Sequence, residues 1–168
     1  MERLSISWKN INQNIGFTLL EMVIVIALMA ILAAIAIARW PGVNLNLNAQ
    51  AQQLANDIRY TQSLAMTRGQ RYRLNLLTAT TYSITDLSGN AVGNNVTGNN
   101  TVTYGTGITK GTTSNLPNNL IAFDGQGIPY IDATAATALT ATASISLTAG
   151  SVTRTLQISP ETGRVIVQ

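Results

Sequence analysis

Hydrophobic and polar positions along this chain fall into three successive patterns. Residues 17–38 form a nearly unbroken apolar run of 22 residues, free of Gly and Pro, with Glu21 as its only charge. As a helix this run is roughly 33 Å long, against a bilayer hydrocarbon core of about 30 Å, so it is read as a transmembrane helix. Arg39 and Trp40 follow as an interfacial pair. Pro41 has no N–H to offer the carbonyl of Ile37, so Pro41-Gly42 kinks or interrupts the helix. Leu47, Ala51, Leu54, Ile58 and Ala65 then recur at three- and four-residue steps, with Ala55 alongside and Thr61 breaking the stripe. Gln50, Gln53 and Asp57 are assigned to the opposite, polar side. Arg68 suits the end of a helix dipole, and Gly69 reads as a left-handed C-cap. The pattern predicts one long, kinked helix from residue 17 to about residue 67.

After Gly69 the period drops from 3.6 to 2. Residues 70–76 alternate, with Tyr72, Leu74 and Leu76 on one side, and residues 81–86 repeat this with Tyr82 and Ile84. The Asn- and Gly-rich stretch through residue 100 reads as a turn and surface loop. Further short strands are predicted at 101–104, 119–123 and 128–131, and the Ala/Thr-rich residues 132–143 read as a loop. A closing meander takes in 144–148, 152–159 and 164–167. The expected fold is α+β: a long N-terminal helix, transmembrane then amphipathic, packed on a C-terminal antiparallel β-sandwich of about eight strands.

Composition narrows the chemistry. The chain has 168 residues, 46% of them hydrophobic and only 10% charged, with a net charge of +3. That charge content is low for a soluble domain, where about 25% is usual. Histidine and cysteine are both absent, which excludes Ser-His-Asp and Cys-His catalysis, His/Cys zinc sites and disulfides. The carboxylates Asp57, Asp86, Asp124, Asp132 and Glu161 each have a helix-surface or turn explanation. Asp124, and Asp86 with Ser88 and Asn90, are read as turns rather than calcium loops. No enzyme activity, cofactor or metal is expected. Arg3 and Lys9 precede the apolar run, so the N-terminus is expected to be cytoplasmic and the domain exported.

Gly16-Phe17-Thr18-Leu19-Leu20-Glu21, opening the apolar run behind a short basic leader, resembles the class III signal of type IV prepilins and pseudopilins. The resemblance implies that a prepilin peptidase cuts between Gly16 and Phe17 and that the new amine of Phe17 is N-methylated. It also implies a role for Glu21 in filament assembly. An ionised carboxylate inside the apolar run would cost up to about 2.5–3.5 kcal/mol at full depth, which suits a residue with a partner. Residues 54–69, the turn Phe123-Asp124-Gly125-Gln126-Gly127 and residues 158–165 are similar to the GspH/FimT class of minor pilins and pseudopilins. Pilin helices often carry Pro near the end of the apolar run; here Ala38 and Arg39 occupy that stretch and Pro41 comes later.

The domain organisation that follows is a leader at 1–16, a transmembrane helix at 17–38, a periplasmic helix continuation at 39–69 and a periplasmic β-rich domain at 70–168. The resemblance implies a structural subunit of a type IV-like filament in a bacterial inner membrane, with type II secretion favoured. Its expected partners are prepilin peptidase, other pilins or pseudopilins and inner-membrane lipid. A minor pilin of a type IV or MSHA-like pilus, including a DNA receptor, is the alternative. Arg71 and Arg73, on one strand face, and Arg164 are the candidate phosphate contacts. Some members of the class bind DNA through a C-terminal Gly-Arg-x-Arg, but here Gly163-Arg164-Val165-Ile166 replaces the second arginine. DNA is therefore not the favoured partner.

Overall fold

The computed structural model describes residues 18–38, 42–94 and 98–168. It divides into two compact units, residues 1–40 and 41–168. In the first, α1 (Leu19–Ala38) is helical over 20 residues. Every described side chain from residue 18 to residue 35 is exposed. Among the described residues no helix is long and apolar enough to cross a membrane. The 22-residue run that the sequence marks as a span begins at Phe17, and the side chains of residues 36–44 are also outside the description. The expected continuous helix through residues 39–41 likewise falls outside it.

The second unit begins with α2 (Gly42–Arg68). Leu47, Ala51, Leu54, Ala55, Ile58 and Ala65 are fully buried, as the stripe requires. Asp57 is a correction: expected on the polar side, it is fully buried, as is Thr61. Asp57 stands three residues after Leu54 and four before Thr61, so helix geometry puts it on the core face whatever its polarity. The Thr61 hydroxyl donates back to the Asp57 carbonyl (2.7 Å), and this satisfies it inside the core. The helix ends as the sequence predicts. Gly69 has φ +60°, and the Gln70 N–H reaches the Ala65 carbonyl at 3.2 Å, a Schellman closure.

Among the described residues ten strands follow, in two antiparallel sheets. The first contains β1 (Tyr72–Asn75), β2 (Thr81–Asp86), β3 (Ala91–Val92), β4 (Thr101–Thr103), β6 (Leu120–Phe123) and β7 (Pro129–Tyr130), in the order β3-β2-β1-β6-β7 with β4 also on β2. The second contains β5 (Thr109–Ser114), β8 (Ala143–Ala149), β9 (Val152–Ile158) and β10 (Val165–Val167), in the order β10-β9-β8-β5. α2 packs on β1 and β6 of the first and on β8, β9 and β10 of the second. Tyr72, Leu74, Ile84, Phe123, Ile145, Leu147, Leu156 and Ile158 join the helix stripe in one core.

Two strands escape the sequence reading. β3 lies inside the stretch read as surface loop. β5 has the sequence Thr-Lys-Gly-Thr-Thr-Ser, with no apolar residue to alternate, and is recruited by pairing with β8 across a register shift between Lys110 and Thr113. Gly111 makes that shift possible, because a Cβ there would stand 2.6 Å from the Ser146 hydroxyl. The Ala/Thr-rich stretch is a loop, as expected, but a structural one. Ala135 packs with Leu120 and Ala122 in a second small cluster, against which Ala133 also rests.

Candidate functional site

The residues that could carry function lie in three places. The first is the start of α1. Thr18 precedes the helix, its side-chain oxygen accepts the Glu21 N–H (3.2 Å), and its carbonyl accepts the Met22 N–H (3.2 Å). Thr18 is thus the N-cap, in the Thr-x-x-Glu spacing of a capping box. The sequence reading missed this role although the spacing displays it. Glu21 is exposed and sits in the first turn, where a carboxylate suits the helix dipole. Gly16 and Phe17, the expected cleavage and methylation positions, lie outside the described residues.

The second is a clasp at the C-terminal end of α2. The Gln62 side-chain amide donates to the Gly127 carbonyl (2.8 Å) and the Thr162 carbonyl (2.8 Å), and so ties together two turns far apart in sequence. Both turns press closely on the helix. A Cβ on Gly127 would meet the Met66 sulfur at 2.8 Å, and one on Gly163, φ +64°, would meet Phe123 Cε1 at 2.7 Å. In the first turn Asp124 Oδ1 accepts the N–H groups of Gln126 (2.9 Å) and Ile128 (3.0 Å), and the Tyr130 hydroxyl donates to its Oδ2 (3.1 Å). These bonds make Asp124 a turn former. Asp86 behaves alike, accepting from the Asn90 backbone and side chain. The Asn90 side-chain bond is the main reason its carboxyl lies below its ordinary pKa.

The third is the basic group on the outer face of the first sheet. Arg71 Nη1 donates to the Thr134 carbonyl. Arg73 donates through Nε to the Thr85 hydroxyl (2.9 Å) and through Nη1 to the Ala133 carbonyl (3.3 Å). Asp132 opens the same segment and accepts the N–H groups of Thr134, Ala136 and Thr137. These bonds, the Ala136 N–H foremost, hold its carboxyl well below the usual carboxylate range. The two arginines therefore strap residues 132–137 onto the sheet. Arg164 is exposed in the turn before β10, on the other sheet, so the structure brings Arg71 and Arg73 together but not Arg164.

Asp57, which the sequence reading left on the surface, centres a buried polar cluster. Its Oδ2 accepts from the Tyr82 hydroxyl (2.6 Å) and the Asn94 amide (3.2 Å), while Oδ1 is buried without a hydrogen-bond partner among the described residues. Burial, and then the bond to Asp57, pushes the Tyr82 phenol far above its usual range. Asn94 thus pins the Asn/Gly-rich loop to α2.

Comparison with known proteins agrees with this architecture. Residues 11–37 match the prokaryotic N-terminal methylation motif, which takes in Gly16, Phe17 and Glu21. No curated protein sequence matches the chain. The fold is similar to that of the type IV minor pilin FimU of Pseudomonas aeruginosa, with TM-score 0.55 and 16% identity, covering 74% of this chain and 90% of that one. It is also similar to the minor pseudopilin EpsH from the type 2 secretion system of Vibrio cholerae, with TM-score 0.54 and 12% identity, covering 73% and 96%. Residues 50–163, from the first half of α2 to the clasp, match the family described as type II transport protein GspH, and the chain belongs to that family of pilin-like structural subunits.

Proposed function

We propose that this protein is a minor pseudopilin of a type II secretion filament, held in a bacterial inner membrane by residues 17–38 with the domain on the periplasmic side. One observation carries the reading: a single chain joins an N-terminal methylation motif over residues 11–37 to a GspH domain over residues 50–163. In this reading prepilin peptidase removes residues 1–16, Phe17 becomes the methylated N-terminus, and lipid and the helices of sister pilins cover the exposed apolar side chains of α1. The likeness to a type IV minor pilin supports service in a pilus as the second reading. DNA binding has less support, since Arg71 and Arg73 are engaged with backbone carbonyls and the Thr85 hydroxyl.

Glu21 supplies the direction of assembly. A lone carboxylate at the membrane edge is unfavourable, and the cationic amine of a neighbouring Phe17 relieves it. Two unit charges about 4 Å apart gain roughly 4 kcal/mol at an effective dielectric of 20, before desolvation. Glu21→Ala removes both the cost and the pairing. The variant should insert and be cleaved normally but copurify poorly with sister pilins. Copurification equal to wild type, with full secretion, would refute charge-guided docking.

A further inference from the structure

The edge of a sheet presents main-chain groups that can template a further strand, and most edges of this domain are blunted. β3 and β4 share one side of β2 and are two and three residues long. β7 begins with Pro129, and the chain that follows closes its far side. There the Leu139 N–H donates to the Pro129 carbonyl (2.9 Å), and Tyr130 bridges to Ala138. β5 carries the register shift and Lys110, whose N–H is taken by the Ala79 carbonyl (2.6 Å).

β10 has none of these devices. Its sequence is Val-Ile-Val, and its ladder with β9 is longer than the strand itself. Gln168 and Thr155 exchange both main-chain bonds (3.0 and 2.9 Å), and the Arg164 carbonyl accepts the Ser159 N–H (2.9 Å). Bonded pairs alternate along an antiparallel ladder. Residues 164, 166 and 168 therefore turn their main-chain groups toward β9, while Val165 and Val167 turn theirs away from it. No described strand pairs with that far side. Among the described residues one group there has a partner: the Val165 carbonyl accepts Arg59 Nη2 from α2 (2.7 Å). Arg59 Nη1 donates to Asn56 Oδ1 (2.8 Å). Both acceptors are neutral, and no ion pair engages Arg59 among the described residues. Val165 is 2% exposed, Val167 is half-buried and Arg59 is exposed, so the arginine covers the edge from outside and can leave without opening the core.

We infer that the far side of β10 is a strand-addition site for an extended, carboxylate-bearing segment of a partner chain, and that Arg59 plugs the site until that segment arrives. In this mode of recognition main-chain bonds give affinity and side chains give selectivity. The incoming strand replaces Arg59 as donor to the Val165 carbonyl and meets the remaining groups of Val165 and Val167. The released guanidinium exchanges a neutral acceptor for a carboxylate, which is the stronger, charge-assisted bond. A second copy of this chain fits less well, because β10 contains no carboxylate and self-pairing would bring two guanidiniums to one seam. The site lies within the domain and stands apart from the question of which filament the chain serves.

The test uses the full chain in mild detergent with two short blocked peptides of alternating valine and threonine, identical except for glutamate or lysine at the centre. The glutamate peptide should slow amide hydrogen exchange at Val167 and bind up to about fivefold more tightly than the lysine peptide. Arg59→Glu should reverse that preference. Val167→Pro removes an N–H that β9 does not use, so it should abolish binding of both peptides and leave urea unfolding close to wild type. Absence of exchange protection at β10, or a charge preference that Arg59→Glu leaves unchanged, would overturn the inference. Protection that appears without peptide and grows with protein concentration would put a second copy on this edge and overturn the choice of partner.

Discussion

Gly163→Ala tests whether the clasp at the end of α2 holds the domain together. Gly163 has φ +64°, so any other residue pays about 1–2 kcal/mol for the left-handed conformation. Its Cβ would also stand 2.7 Å from Phe123 Cε1 and 2.9 Å from Gln62 Nε2. Phe123 is fully buried and cannot swing into solvent. If Gln62 gives way instead, two bonds of 2.8 Å are lost, at about 1 kcal/mol each. The sum is about 3–4 kcal/mol. Gly69→Ala is the control, because Gly69 has φ +60° but nothing within 4 Å of its Cβ, which leaves the conformational cost alone. Urea unfolding of the full chain in mild detergent, followed by far-ultraviolet circular dichroism, should place the Gly163 variant about 2 kcal/mol below the Gly69 variant. If the two variants fall within 0.5 kcal/mol of each other, the clasp adds nothing beyond a turn.

Two further variants address the interior and the basic group. Tyr82→Phe leaves Asp57 with one weaker donor in the core and should cost about 1–3 kcal/mol in the same unfolding assay; a neutral result would mean that the cluster around Asp57 is not a fixed part of the fold. The double variant Arg71→Ala, Arg73→Ala should speed amide hydrogen exchange in residues 132–137, and neither it nor wild type should show salt-dependent binding to duplex DNA. Tight binding lost in the double variant would promote the DNA-receptor reading.

Periodic signals were legible in the sequence, and signals that depend on distant partners were not. The α2 stripe, its Gly69 stop and the alternation in β1, β2 and β8–β10 each reflect a local rule acting on residue type. β5 has no apolar residue and becomes a strand only because β8 offers an unpaired edge. Asp57 is polar by identity but lies on the core face by its position in the helical period, and its donors come from residues 25 and 37 positions away. Arg71 and Arg73 were legible as a basic pair, but their acceptors include main-chain carbonyls about 60 residues on, which residue type does not mark. The motif around Gly16, Phe17 and Glu21 is contiguous, so sequence alone reveals it.

That motif is also where the proposed function is most exposed to test. The full chain, coexpressed with a prepilin peptidase and recovered from the membrane fraction, should give an intact mass lacking residues 1–16 and carrying one added methyl group on Phe17. Gly16→Ile should leave the precursor uncut. An intact mass showing cleavage after the alanine-rich end of the apolar run, or an untrimmed chain in the assembled filament, would contradict the assignment as a processed pilin-like subunit.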